Sequence, residues 1–193
     1  MRIPGRGARP RLPASAVRGE RVLAAVEVDG GAVVGTQQAL HVTAGPGDGP
    51  GDGPVDGPGD GPVRVPWERV DAADWDAEEG VLTVRELGPE PDFAPRHRVR
   101  LTAPGEPATP ARDRLLQFVR ERITATVVLQ RHVRLAGAAG VHVLARRAPG
   151  GDAIAWGLRF DAGIDPDAPE VRRAAAAALE AARADLGLPP GPR

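Results

Sequence analysis

The residue pattern predicts an α+β protein built on an antiparallel sheet. Short apolar stretches between residues 22 and 101 alternate with period two, and the period turns helical at 109. A strand, strand, helix pattern then closes the chain. The expected order is six strands, a helix, two strands and a helix.

The elements follow in turn. "ERVLAAVEV" places Val22, Ala24, Val26 and Val28 on one face, and "DGG" at 29–31 turns the chain into "AVVGT", a hairpin. "ALHV" reads as a short strand after "TQQ". "VRVPWERVDAADWD" supplies Val63, Val65 and Trp67 around a kink at Pro66, and "VLTVREL" returns after the "DAEEG" turn. "RHRVRL" alternates His97, Val99 and Leu101 on one face with Arg96, Arg98 and Arg100 on the other. Thr109 is the expected N-cap of a helix with Pro110 at its first position, and Leu115, Val119, Ile123 and Val127 recur at helical spacing. That helix is expected over 110–131, although "TATVVLQRH" is rich in β-branched residues and also fits a strand. "GVHVLARRA" and "DAIAWGLRFD" form a second hairpin. In the final helix Asp167 and Glu170 form a capping box, Val171, Ala175, Ala178, Leu179, Ala182 and Leu186 a buried stripe, and Gly187 the end.

The segment "GDGPGDGPVDGPGDGP" at 47–62 repeats Gly-Asp-Gly-Pro. Proline every fourth residue removes a ladder donor, and alternate glycine raises the entropy of ordering, so a flexible loop over 45–62 is expected. Its carboxylates match neither the spacing of an EF-hand nor the nine-residue period of RTX repeats. Three regions result: a basic disordered arm over 1–18, a strand-rich unit with its helix over 19–131, and a strand-strand-helix extension over 132–193 packed on the same core.

Composition narrows the chemistry. The chain has no Cys, which removes disulfides, thiolate nucleophiles and Cys-based zinc sites. All 25 basic residues are Arg, so Schiff-base and P-loop lysines are absent too. Ser15 is the sole serine and lies in the arm, which leaves no serine for a Ser-His-Asp site in the folded part. No apolar run long enough to span a bilayer occurs, and the N-terminus lacks the apolar stretch of a signal peptide. A soluble, cytoplasmic protein is expected. Its formal charge of −1 hides a segregation, with a net −10 over residues 45–92 and +8 over 93–147.

"GERVLA" with its hairpin, "GT" before "ALHV", "VPWERVDAADWD", "GVLTV" and the helix "LLQFVRER" together resemble bacterial pleckstrin-homology-like, or GRAM-like, domains. The chain as a whole resembles an actinobacterial family carrying such a domain. The likeness covers about residues 19–130 and includes no catalytic motif. It implies a partly open antiparallel β-barrel capped by the helix, here followed by a β-hairpin and a C-terminal helix. Domains of that class bind phosphoinositides, peptides or partner proteins.

No residue qualifies from the sequence as catalytic, cofactor-binding or metal-ligating. His41, His97, His132 and His142 lack zinc-motif spacing, and for His41 and His97, on strands, a satisfied structural imidazole is the ordinary account. "GGAVVG" and "APGGD" do not lead from strand to helix as a phosphate loop does. Trp67 and Trp156 are expected as core anchors. Candidate contacts for an anion or a partner are Arg96, Arg98, Arg100, Arg120, Arg131 and Arg134. The function expected is a non-enzymatic interaction module with an unknown protein partner. A peripheral binder of anionic lipid or nucleic acid is the first alternative, and a small hydrolase or transferase the second.

Overall fold

A computed structural model describes residues 19–29, 31–43, 63–88 and 94–188. The expected arm at 1–18 and loop at 45–62 lie outside the described residues. The protein is α+β, with its strands divided among three antiparallel sheets rather than gathered in one. No closed barrel forms among the described residues.

The first sheet runs in sequence order: β1 (Val22–Val28), β2 (Gly31–Thr36), β3 (Ala39–Thr43) and β4 (Val63–Pro66). Pro66 leads into a single 3-10 turn, Trp67–Arg69, which redirects the chain into the second sheet of β5 (Val70–Asp76), β6 (Val81–Glu86) and β7 (Arg96–Arg100). The expected kink therefore separates two strands on two sheets. Helix α1 spans Pro110–Thr126, with the Thr109 hydroxyl accepting from the Arg112 amide at 3.2 Å as its cap.

The helix ends earlier than its apolar spacing suggests. From Val127 the chain is strand β8 (Val127–Ala136), paired with β9 (Ala139–Arg147), which in turn pairs with β10 (Ile154–Phe160). Thr124, Thr126, Val127 and Val128 are β-branched, and eight residue pairs of ladder with β9 outweigh another turn of helix. The expected capping box at Asp167 does not form. Pro169 occupies the first helical position of α2 (Pro169–Asp185), so Ala168 becomes the N-cap, and the Asp165 carboxylate accepts instead from the Asp167 amide.

Two apolar clusters organise these layers. The first gathers residues of both N-terminal sheets under α1, including Val33, Leu40, Val65, Trp67, Leu82, Val84, Val99, Leu115 and Val119. Trp67 is fully buried, donates from Nε1 to the Thr36 carbonyl at 3.0 Å and meets Phe118 edge-on with ring centroids 5.7 Å apart. Gly35 permits that approach: a Cβ there would lie 2.5 Å from the Phe118 ring. Trp75 lies on the inner face of β5, partly buried against the same cluster, with the Arg112 guanidinium 5.3 Å from its ring centroid. The second cluster lies between the third sheet and α2, with Val141, Val143 and Phe160 facing Ala175, Ala178 and Ala182, and with Trp156 packed at its margin. Residues of β8, β9, β10 and α2, from Leu129 on, thus build an apolar centre of their own.

The clusters meet at a polar seam. Arg146 of β9 donates to the Ile123 carbonyl at 2.8 Å, to the Thr126 hydroxyl at 3.0 Å and to the Asp71 carbonyl at 2.7 Å. Asp71 also binds Arg85 at 3.0 Å and Arg159 at 3.5 Å, while Leu87 packs over Gly157.

Candidate functional site

The six arginines singled out in the sequence do not share one surface. Arg96, Arg98 and Arg100 occupy the outward face of β7, with Val99 directed into the core between them. Arg120 lies exposed on α1. Arg131 and Arg134 are three residues apart on a strand and so point to opposite faces of β8; Arg131 forms an ion pair with Asp185 on the α2 side. Only the β7 row is a contiguous candidate.

Register places that row in a charge gradient. Arg98 lies opposite Thr83, which lies opposite Asp74; Arg100, Val81 and Asp76 align in the same way. Arg96 is paired with Arg85. The outer face of the second sheet is therefore basic along β7 and acidic along β5, across two strand spacings of about 4.8 Å each.

A second polar group surrounds Glu20. Its carboxylate accepts from the Thr36 hydroxyl and from Arg64 at 2.8 and 3.0 Å, and lies 3.4 Å from His41 Nε2. Burial pushes the Glu20 carboxyl up, but the hydrogen bonds from Thr36, Arg64 and His41, with the Arg64 charge, outweigh it and hold the group below its ordinary 4.5. These contacts tie the chain before β1 to β2, β3 and β4, a structural role. Because the folded value is depressed, the stabilisation is complete above the ordinary value and is lost as pH falls through the lower folded value. Glu20→Gln is therefore expected to melt below wild type at pH 7, with the gap closing as pH drops below 4.5; thermal melts across a pH series measure it.

A third group was not anticipated. The β8–β9 turn sets His132 directly opposite His142, on the sheet face away from α2, and Arg159 of β10 completes the row. Asp161 follows immediately after β10. Its amide donates to the Gly140 carbonyl at 2.9 Å and its Oδ2 accepts from the Gly140 amide at 2.8 Å, which fixes the carboxylate beside both imidazoles. Residue 140 must be glycine for this, since a Cβ would fall 2.0 Å from the Val133 carbonyl oxygen. Asp161 Oδ2 lies 2.8 Å from His132 Nε2, and Oδ1 lies 3.0 Å from His142 Nε2. The Gly140 amide, then His132, hold the Asp161 carboxyl below the usual carboxylate range; partial burial opposes them, and His142 adds to the lowering.

His97, by contrast, pairs with Glu86 at 2.7 Å. An open cleft of about 380 Å³ between the end of α1 and the β9–β10 turn is lined by Arg122, Arg147 and Asp152 among others, and gathers none of the sequence candidates. No helix among the described residues is long and apolar enough to cross a membrane. Comparison with protein-family models, curated proteins and solved structures found no match to the chain.

Proposed function

We propose that the chain is a non-catalytic cytoplasmic interaction module in which β1–β7 and α1 are a pleckstrin-homology-like scaffold and the arginine row of β7 contacts a protein partner. Two sheets sharing one apolar cluster beneath a helix support the scaffold reading. The observation that carries the choice of partner is the sorting of charge by strand, with Arg96, Arg98 and Arg100 on β7 and Asp74 and Asp76 on β5 of the same sheet face. An anionic bilayer surface or a nucleic-acid backbone presents net negative charge across the whole contact, so the aspartate row opposes what the arginine row attracts. A protein surface can carry both signs in the complementary order.

Co-sedimentation with anionic phospholipid vesicles, and mobility shift with duplex DNA and RNA, test this at low salt, where exposed charges act most strongly. The protein is expected to remain unbound in both. Binding that disappears in the triple variant Arg96→Gln, Arg98→Gln, Arg100→Gln would transfer the row to lipid or nucleic acid.

A further inference from the structure

We propose that His132, His142 and Asp161 form a binding site for a single divalent first-row transition metal, typified by Zn²⁺, with its remaining coordination positions open to solvent. This site stands on the third sheet and is independent of the β7 reading.

Convergence is the first argument. One ligand atom from each of the three residues lies within 4.8 Å of the others. The nitrogen–oxygen separations of 2.8 and 3.0 Å are close to the edge of a coordination shell. Ligands bonded at about 2.0–2.2 Å to a tetrahedral ion sit about 3.3–3.6 Å apart, so a cation can enter if each imidazole–carboxylate pair opens by about half an ångström and the imidazole nitrogens, now within 4.8 Å, close to the same separation. The two imidazoles lie side by side, with centroids 4.5 Å apart and planes tilted by 37°, and both turn Nε2 toward the same carboxylate.

Rigidity is the second. His132 and His142 are a directly paired couple in the longest ladder among the described residues, and Asp161 is clamped by reciprocal hydrogen bonds to Gly140. Ligands carried on sheet strands and held by an outer hydrogen bond give a preformed site.

Donor chemistry selects the ion. Two imidazoles and one carboxylate suit Zn²⁺, Fe²⁺, Ni²⁺ and Cu²⁺, whereas Ca²⁺ and Mg²⁺ take shells of oxygen. Three protein ligands leave at least one position for water, and side-chain exposures of 32 % for His132, 22 % for His142 and 31 % for Asp161 leave a path for it. The groups facing the site from the same sheet face are Gln130 and Arg134 on β8, Leu144 on β9 and Arg159 on β10. Arg159 is directed to Asp71, which offsets part of its charge.

The test is equilibrium dialysis of the chelator-stripped full chain against Zn²⁺, with metal analysis. One equivalent is expected to bind saturably, and His132→Gln or Asp161→Asn is expected to weaken it at least about tenfold. His97→Gln should leave uptake unchanged. Imidazole NMR signals of the wild type provide a readout that needs no variant: Zn²⁺ should perturb His132 and His142 and spare His41 and His97. Absence of saturable uptake, uptake indifferent to His132→Gln and Asp161→Asn, or perturbation confined to His41 and His97 would overturn the proposal and leave the cluster as a hydrogen-bonded latch between β8, β9 and the end of β10.

Discussion

Replacing Arg146 with methionine is expected to destabilise the protein by about 2–4 kcal/mol, because three hydrogen bonds from a charged donor to buried neutral acceptors are lost together. Arg146 is only 6 % exposed, and burial draws its guanidinium below the usual arginine value, with the Asp71 charge opposing that shift and Arg159 adding to it. Methionine fills much of the volume but donates no hydrogen bond. The Asp71 carbonyl would lose this donor, at about 1–3 kcal/mol for a buried acceptor left unsatisfied, while the Ile123 carbonyl, near the end of α1, and the Thr126 hydroxyl would keep their bond to each other at 2.9 Å and lose the guanidinium. The same three bonds join the first apolar cluster to the third sheet. Urea denaturation of the variant should therefore show a lower midpoint and a separation of the two halves into distinct transitions. A loss below about 1 kcal/mol with one sharp transition would show that apolar contact such as Leu87 on Gly157 carries the seam.

Trp67→Ala should cost a similar amount, about 3–5 kcal/mol, through a different cause. Trp67 has no exposed surface and stands where the 3-10 turn passes the chain from one sheet to the next. Truncation removes its edge-on contact with Phe118 and strands the Thr36 carbonyl that accepts from Nε1. Trp67→Phe separates these terms, since it keeps an aromatic ring and loses the donor; it is expected to recover more than half of the loss. Far-UV circular dichroism in denaturant is the suitable readout, because Trp75 and Trp156 would dominate the remaining fluorescence.

What could be read from the sequence was local. The Thr109 cap before Pro110, the alternation of β7 and the hairpin of β9 and β10 each depend on residues within a few positions of one another. The structure contains all three. The end of α1 is ambiguous in the sequence, because Val127 keeps helical spacing with Ile123 while β-branching favours a strand, and pairing with β9 decides the contest. At Asp167 the local signal was real but Pro169 claimed the helix start one residue later.

The histidine–aspartate cluster shows what was lost with the helix boundary. Reading residues 110–131 as helical leaves His132 beyond its end with no strand partner. Once β8 is a strand, His132 and His142 stand five residues either side of Gly137 in the turn, which is the spacing of a paired couple in a tight hairpin. That symmetry was available in the sequence. Asp161 was not, since its place depends on β10 returning beside β9 and on the close approach at Gly140. The arginine candidates divided for the same reason. Spacing identified the β7 row, whereas the relation of Arg120, Arg131 and Arg134 to that row is tertiary.

The interaction-module account is tested most directly by affinity capture from native lysate, with and without nuclease, read by mass spectrometry. The bait is best held by a tag, since a chain without lysine offers amine-directed coupling only its N-terminus. The account predicts one protein in stoichiometric amount, indifferent to nuclease, captured by the wild type and missing when Arg96, Arg98 and Arg100 are all glutamine. Capture that persists unchanged in that variant, or that yields only nucleic acid or lipid, would contradict it.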